Sequence, residues 1–183
     1  MSRLRMILLF AAMVVSLVLL LRFLNWIPAA FQKTEVRRYR SIEDVRSGLK
    51  IRKVFLPSYF PQYLTWPPDE IFARKRPYPL VLMHFTNQQR GEIAMSIRQA
   101  DVRDASPVVS RIEPVIIHSE ENILIKDRPA RLFIATCPAK RACISVMWQE
   151  EGYVFTITAK DSVREVTRIA ESMLSEEPQP NGP

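Results

Sequence analysis

Residues 131–159 read RLFIATCPAKRACISVMWQEEGYVFTITA, and this stretch decides the fold. Three runs rich in β-branched and aromatic residues, Arg131–Thr136, Ile144–Gln149 and Tyr153–Ala159, follow in quick succession. The intervals between them, Cys137–Cys143 and Glu150-Glu151-Gly152, are too short to carry a chain across a sheet for parallel pairing. They predict an antiparallel meander. Cys137 and Cys143 flank Pro138-Ala139-Lys140-Arg141-Ala142 at the ends of adjacent strands. A hairpin loop of that kind brings such positions within the roughly 4.4–6.8 Å Cα separation of a disulfide. The pair reads first as a structural disulfide, with two separate buried thiols as the alternative. A zinc site lacks a second pair with ligand spacing, and a redox pair lacks its two-residue spacing.

Downstream, Asp161–Leu174 has the period of a helix. Ser162 is its predicted N-cap and Glu165 closes a capping box. Val163, Val166, Ile169, Ala170, Met173 and Leu174 form the stripe that faces a core. Residues 175–183 read as a polar, proline-rich, disordered tail.

Upstream, Leu80–Thr86 and Glu92–Gln99 flank Asn87-Gln88-Gln89-Arg90-Gly91, a hairpin signal. Asp101–Val109 reads as a loop. Val115–His118 and Ile123–Ile125 predict a second hairpin, turning at Ser119-Glu120-Glu121-Asn122. Before these, Pro57 and Pro61 exclude a helix or a central ladder strand, so the segment around them is an extended connector. Pro67-Pro68 and Pro77/Pro79 bracket an irregular stretch carrying Arg74-Lys75-Arg76. Lys53–Leu56 reads as a short strand. Ser41 caps a short helix in which Ile42, Val45 and Leu49 share a face and which Gly48 closes.

The N-terminal end is different in kind. Met6–Leu21, MILLFAAMVVSLVLLL, is an unbroken apolar run, about 24 Å long as a helix. Extended through Arg22, Phe23 and Leu24 to Trp26, it predicts a transmembrane anchor over 6–27. A short cytoplasmic stub would precede it at 1–5, and a basic linker follow at 28–40. Arg22, Trp26, Arg37, Arg38 and Arg40 would be the membrane-interface residues. A cleaved signal peptide is the competing reading, against which Pro28 stands at the −3 position of the one small-residue cleavage site, and a fully buried core helix is the third, since the run has no polar face. Basic residues are denser after the run than before it, which by the positive-inside rule favours a cytoplasmic C-terminal side. The cysteine pair favours the opposite orientation.

The net charge of +7 is uneven: residues 33–53 carry eight Lys/Arg against three acids. Four glycines against fourteen prolines leave no phosphate-cradling loop, and no nucleic-acid-binding motif accompanies the basic patch. His84 and His118 lie in or beside strands without a nucleophile motif around them. Asp69-Glu70 and Glu120-Glu121 fall in predicted loops, where adjacent acids are solvated. The reading is therefore of no catalytic residues, no metal and no cofactor. The aromatics Tyr59, Phe60, Tyr63, Trp66 and Tyr78 are the candidate ligand-binding residues, or else simply cover the sheet.

Leu56-Pro57-Ser58-Tyr59-Phe60-Pro61, the strand Val146-Met147-Trp148-Gln149 with its Gly152-Tyr153 hairpin, and Ile169-Ala170-Glu171-Ser172 in the closing helix resemble an uncharacterised bacterial extracytoplasmic domain. That domain occurs on membrane-anchored anti-sigma factors and related single-pass proteins, akin to lipoprotein-carrier half-barrels. The resemblance spans residues 41–174. It implies a sensing or binding domain at the bacterial inner membrane, facing the periplasm, with membrane lipids and an envelope protein or a lipid ligand as partners. Five residues before the apolar run cannot form a sigma-binding domain, so that direct role departs from the pattern. The expectation is an α+β protein: a transmembrane helix, then a curved antiparallel sheet packed on a C-terminal helix, serving as an extracytoplasmic binding or sensing domain or as a lipid-carrier-like binder.

Overall fold

The computed structural model of the chain describes residues 10–22, 36–51, 53–104 and 110–174. The chain divides into two units, Met1–Glu35 and Val36–Pro183. In the first, residues 10–22 form helix α1, with every side chain exposed. Among the described residues no helix is long and apolar enough to cross a membrane. Thirteen helical residues rise about 20 Å, against the roughly 30 Å of a hydrocarbon core. This overturns the expected transmembrane helix, and with it the placement as a single-pass inner-membrane protein. Residues 6–9 and 23–27 of the expected span, Trp26 among them, lie outside the described residues, as does the tail 175–183.

The second unit is built on one eight-stranded antiparallel sheet. Its strands are β1 (Arg37–Tyr39), β2 (Glu70–Arg74), β3 (Leu80–Thr86), β4 (Ile93–Asp101), β5 (Ile116–Ile125), β6 (Arg128–Cys137), β7 (Arg141–Glu150) and β8 (Tyr153–Ala159). The spatial order is β1-β2-β3-β4-β8-β7-β6-β5. Two four-stranded meanders thus meet at β4 and β8, and the connection after β4 carries the chain from mid-sheet to the far edge.

Strand alternation separates two faces. One face carries Ile71, Met83, Ile97, Phe155, Val146 and Leu132, all buried. Over it lie α2 (Ile42–Leu49) and α3 (Val163–Met173), whose Val45, Val166, Ile169 and Ala170 belong to the same core. Both helices begin as their sequences predict: Ser41 Oγ accepts from Asp44 N at 3.0 Å and Ser162 Oγ from Glu165 N at 3.3 Å. The box at Ser162 is only half formed, because the Glu165 carboxylate takes the Tyr59 hydroxyl and Ser162 N donates to Asp161 Oδ1. α2 ends at Lys50, which adopts the left-handed conformation expected of Gly48.

Several expected elements are redrawn. Residues 119–122 lie inside the continuous strand β5, and the hairpin turns instead at Lys126-Asp127, both with positive φ (43° and 64°). That is the two-residue geometry favoured between twisted strands, without the asparagine or glycine that usually marks it. Lys53–Leu56 is extended but outside the ladder. Phe55 N donates to the buried Gln99 Oε1 at 3.0 Å, and Gln99 Nε2 donates to Lys53 O at 2.9 Å. One side-chain amide supplies both bonds that a neighbouring strand would have offered. β1 and β2 arise where a linker and an irregular stretch were expected; Arg37 and Arg38 pair in register with Ala73 and Phe72. Cys137 and Cys143 form a disulfide with Cα atoms 5.8 Å apart.

Candidate functional site

The aromatics chosen from the sequence lie mainly against the helix-covered face. Phe60, Trp66 and Phe85 form one ring cluster, with centroids 5.0 to 6.3 Å apart. Tyr59 is tied to α3: its hydroxyl donates to Glu165 Oε2 at 2.8 Å and the Arg168 guanidinium sits 3.7 Å from its ring centre. The bond to Glu165 raises the Tyr59 pKa. Tyr63 packs on the same core. Tyr78 is elsewhere, under the Arg103 guanidinium at 4.7 Å. Four of the five therefore cover the sheet, and none lines either of the two cavities described below. Of the basic residues assigned to a membrane interface, Arg38 lies 3.7 Å from Glu70, Arg37 is a strand residue, Arg40 is exposed, and Arg22 ends the described part of α1.

The second face of the sheet is chemically different. The register places Glu70, His84, Ser96, Thr158, Ser145 and Phe133 in one row across β2, β3, β4, β8, β7 and β6. His84, Ser96, Thr158 and Ser145 are buried, and the hydroxyls of Ser145 and Thr158 bond to each other at 3.0 Å. The connection after β4 crosses this row: Ile112 packs on Ala135 and the two cysteines.

At the edge formed by β5 to β8, the same face opens into a groove of about 540 Å³, within the range of small-ligand sites. Its lining includes Leu124, Pro129, Arg131, Met147, Trp148 and Val154. Arg131 is held over Phe133 with its guanidinium 5.6 Å from the ring centre, and its Nη1 donates to Glu120 Oε1 at 3.2 Å. The Trp148 ring itself belongs to the helix-covered core, where it stacks on Phe155, and its indole N–H has no hydrogen-bond partner among the described residues. A smaller cavity of about 280 Å³ adjoins along Met147 and is lined by Ser96, Arg98, Ser110, Ser145, Thr156 and Thr158.

His84 stands at the far end of the polar row. Its Nδ1 lies 3.3 Å from Glu70 Oε2 and its Nε2 3.1 Å from Ser110 Oγ. Glu70 Oε1 takes Arg111 at 3.4 Å and Arg38 at 3.7 Å, so the two carboxylate oxygens serve different partners. Burial holds the imidazole pKa below its ordinary value, against the opposing pull of Glu70. The neutral ring then donates from Nδ1 to the carboxylate and accepts at Nε2 from the serine hydroxyl, the tautomer these partners require. Asp69, its chain neighbour, bonds elsewhere. Burial raises its pKa, but bonds from Thr65 and Thr86 outweigh that and lower it overall. His118, at the irregularity in β5, bonds to Thr136 Oγ1 at 2.7 Å.

The groove residues escaped the sequence reading because Leu124, Arg131 and Met147 sit on strands whose exposed face looked ordinary. The apolar Ile123-Leu124-Ile125 at a strand end was the available signal. The fold and site together define a class: an α+β domain whose antiparallel sheet is covered by helices on one face and grooved on the other. Comparison with protein-family models, with curated proteins and with solved structures finds no match.

Proposed function

We propose that this domain binds a small amphipathic molecule, an apolar chain with a hydrogen-bond-accepting head, in the groove of its open sheet face. The observation that carries this reading is the lining itself. Leu124, Pro129, Met147 and Val154 offer apolar surface, and the Arg131 guanidinium is the donor beside them. A donor held by neighbouring packing is how such a site orients a ligand whose affinity comes from apolar burial. The resemblance to lipoprotein-carrier half-barrels points the same way, toward a lipid-like ligand.

Calorimetric titration with decanoate tests the reading. Saturable binding with a negative heat-capacity change is expected, and Met147→Glu, which places a charge in the groove, abolishes it. Absence of saturable binding, or binding indifferent to that substitution, rejects the proposal.

A second reading rests on the edge strand β5. Ten residues long, it pairs among the described residues only with β6, and it exposes Ile116, Ile117 and Leu124 near its ends, with Val115 exposed just before it. Glu120 and Glu121 at its centre oppose self-pairing through like charge, so the fitting partner is a basic extended peptide adding as a ninth strand. Amide exchange in β5 slowed by a Lys-rich β-forming peptide would favour this reading over the groove.

A further inference from the structure

We infer that Ser110, His84 and Glu70 form a nucleophilic relay, which takes the acyl group from carboxylic esters with an apolar acyl chain. The substrate class rests on the groove reading; the relay itself does not. Three observations carry it. The imidazole is within hydrogen-bond distance of a hydroxyl at one nitrogen and of a carboxylate at the other, which is the arrangement a base-activated serine requires. The relay is built from distant parts of the chain: Glu70 and His84 are register partners on β2 and β3, while Ser110 arrives on the connection after β4. Ser110 also lines the smaller cavity, which shares Met147 with the apolar groove, so a chain lying in the groove leads toward the hydroxyl. The Ser110 Oγ additionally accepts from Ile112 N at 3.4 Å, a weak bond that fixes its direction.

The step balances with water as the second substrate. Ser110 Oγ attacks the ester carbonyl carbon while its proton passes to His84 Nε2, and the imidazolium is held by Glu70 through Nδ1–H. The bond from the carbonyl carbon to the alkoxy oxygen then breaks, and the alcohol leaves with the proton from Nε2. Water adds to the acyl-serine, gives a proton to the same nitrogen, and releases the carboxylic acid and free Ser110. Ser110 and His84 are the catalytic residues and Glu70 a positioning residue. Arg98 lines the same cavity and lies 3.9 Å from the Asp104 carboxylate, a cation on the side of the site where charge on the carbonyl oxygen would develop.

The test uses the full chain. Diisopropyl fluorophosphate, too small to depend on the groove, is expected to add one diisopropylphosphoryl group with loss of fluoride, which peptide mass spectrometry places on Ser110. No adduct on the wild-type chain, or an adduct on another residue, overturns the relay without recourse to any variant. Ser110→Ala and His84→Gln are expected to lose the adduct while melting cooperatively. Glu70→Gln is expected to lower kcat for p-nitrophenyl esters by about 10²- to 10⁴-fold at unchanged KM. Turnover rising from acetate to decanoate ester supports the substrate class. An adduct at Ser110 with turnover indifferent to chain length overturns the substrate class and counts against the groove, not the relay.

Discussion

The two faces of this sheet are made from alternate residues of the same strands, yet they are stabilised by different means. On β8, Phe155 and Ile157 point into the helix-covered core, while Thr156 and Thr158 line the cavity on the other side. The first face is a packed apolar layer with α2 and α3 upon it. The second has a crossing connection, a row of hydroxyls, an imidazole and a buried ion pair between Arg74 and Asp104. A packed layer tolerates little change in volume and is indifferent to pH. A polar layer tolerates volume change but depends on every partner being present. The contrast explains why the cavities lie on the second face: hydrogen-bonded rows hold their positions without needing to be filled.

The largest test of this contrast is Phe155→Ala. Its ring stacks on Trp148 at 5.1 Å and meets Phe55 edge-on at 5.2 Å, so truncation is expected to cost about 3–5 kcal/mol in urea denaturation. Asp104→Ala probes the other face. It strips the fully buried carboxylate that pairs with Arg74 and lies 3.9 Å from Arg98, at an expected cost of about 3 kcal/mol. Asp104→Asn, which keeps the shape, should recover part of it.

Next comes the disulfide, also on the second face. Replacing Cys137 and Cys143 by serine opens a short loop with a sequence separation of 6, for which loop-closure entropy gives about 2 kcal/mol. Equal stability of the oxidised and reduced protein would show that Ile112 packing alone holds that end of the connection.

On the second face the buried imidazole should add a pH dependence near neutrality. The folded-state pKa of His84 is depressed below 6.5, so the unfolded chain takes up a proton that the folded chain refuses. Stability is therefore level with respect to this group above about pH 6.5 and falls as pH drops below it, by at most about 1.4 kcal/mol per pH unit. His84→Gln should flatten that slope between pH 7 and 5; a slope that survives the substitution assigns it to other groups. Smallest is Ser162→Ala, which removes the α3 cap for about 1 kcal/mol. It should leave decanoate binding unchanged, because α3 lies on the opposite face from the groove.

Local pattern accounts for what could be read in advance. The buried stripe Val166, Ile169, Ala170 and Met173 of α3, its serine cap and the strands β3, β4, β7 and β8 follow from periodicity within one segment, whereas Val163 at the helix start is exposed and Leu174 lies past the helix end. The missed features are those in which one segment completes another. β2 is a strand because β3 offers it a ladder, although prolines bracket it on both sides. Lys53–Leu56 is not a strand because Gln99 reaches it first. Residues 119–122 stay extended because β6 continues alongside them. The apolar N-terminal run shows the same limit in reverse: its composition suggested a membrane span, and the described helix over 10–22 is too short for one.

For the candidate site, the sequence displayed His84 inside an apolar strand and the acids at 69 and 70, but not their relation. By itself it determined which residues alternate, which segment coils into α3, and that two cysteines six positions apart could meet. Those are near-neighbour properties, set by backbone geometry and side-chain period. Only the tertiary structure decided that β4 lies beside β8 and that Glu70 faces His84. It also decided that Ser110 is delivered onto the same face and that the open groove lies opposite the aromatic cluster. Each of these depends on contacts between residues far apart in the chain, whose pairing is selected by the packing of the whole sheet and not by any one segment.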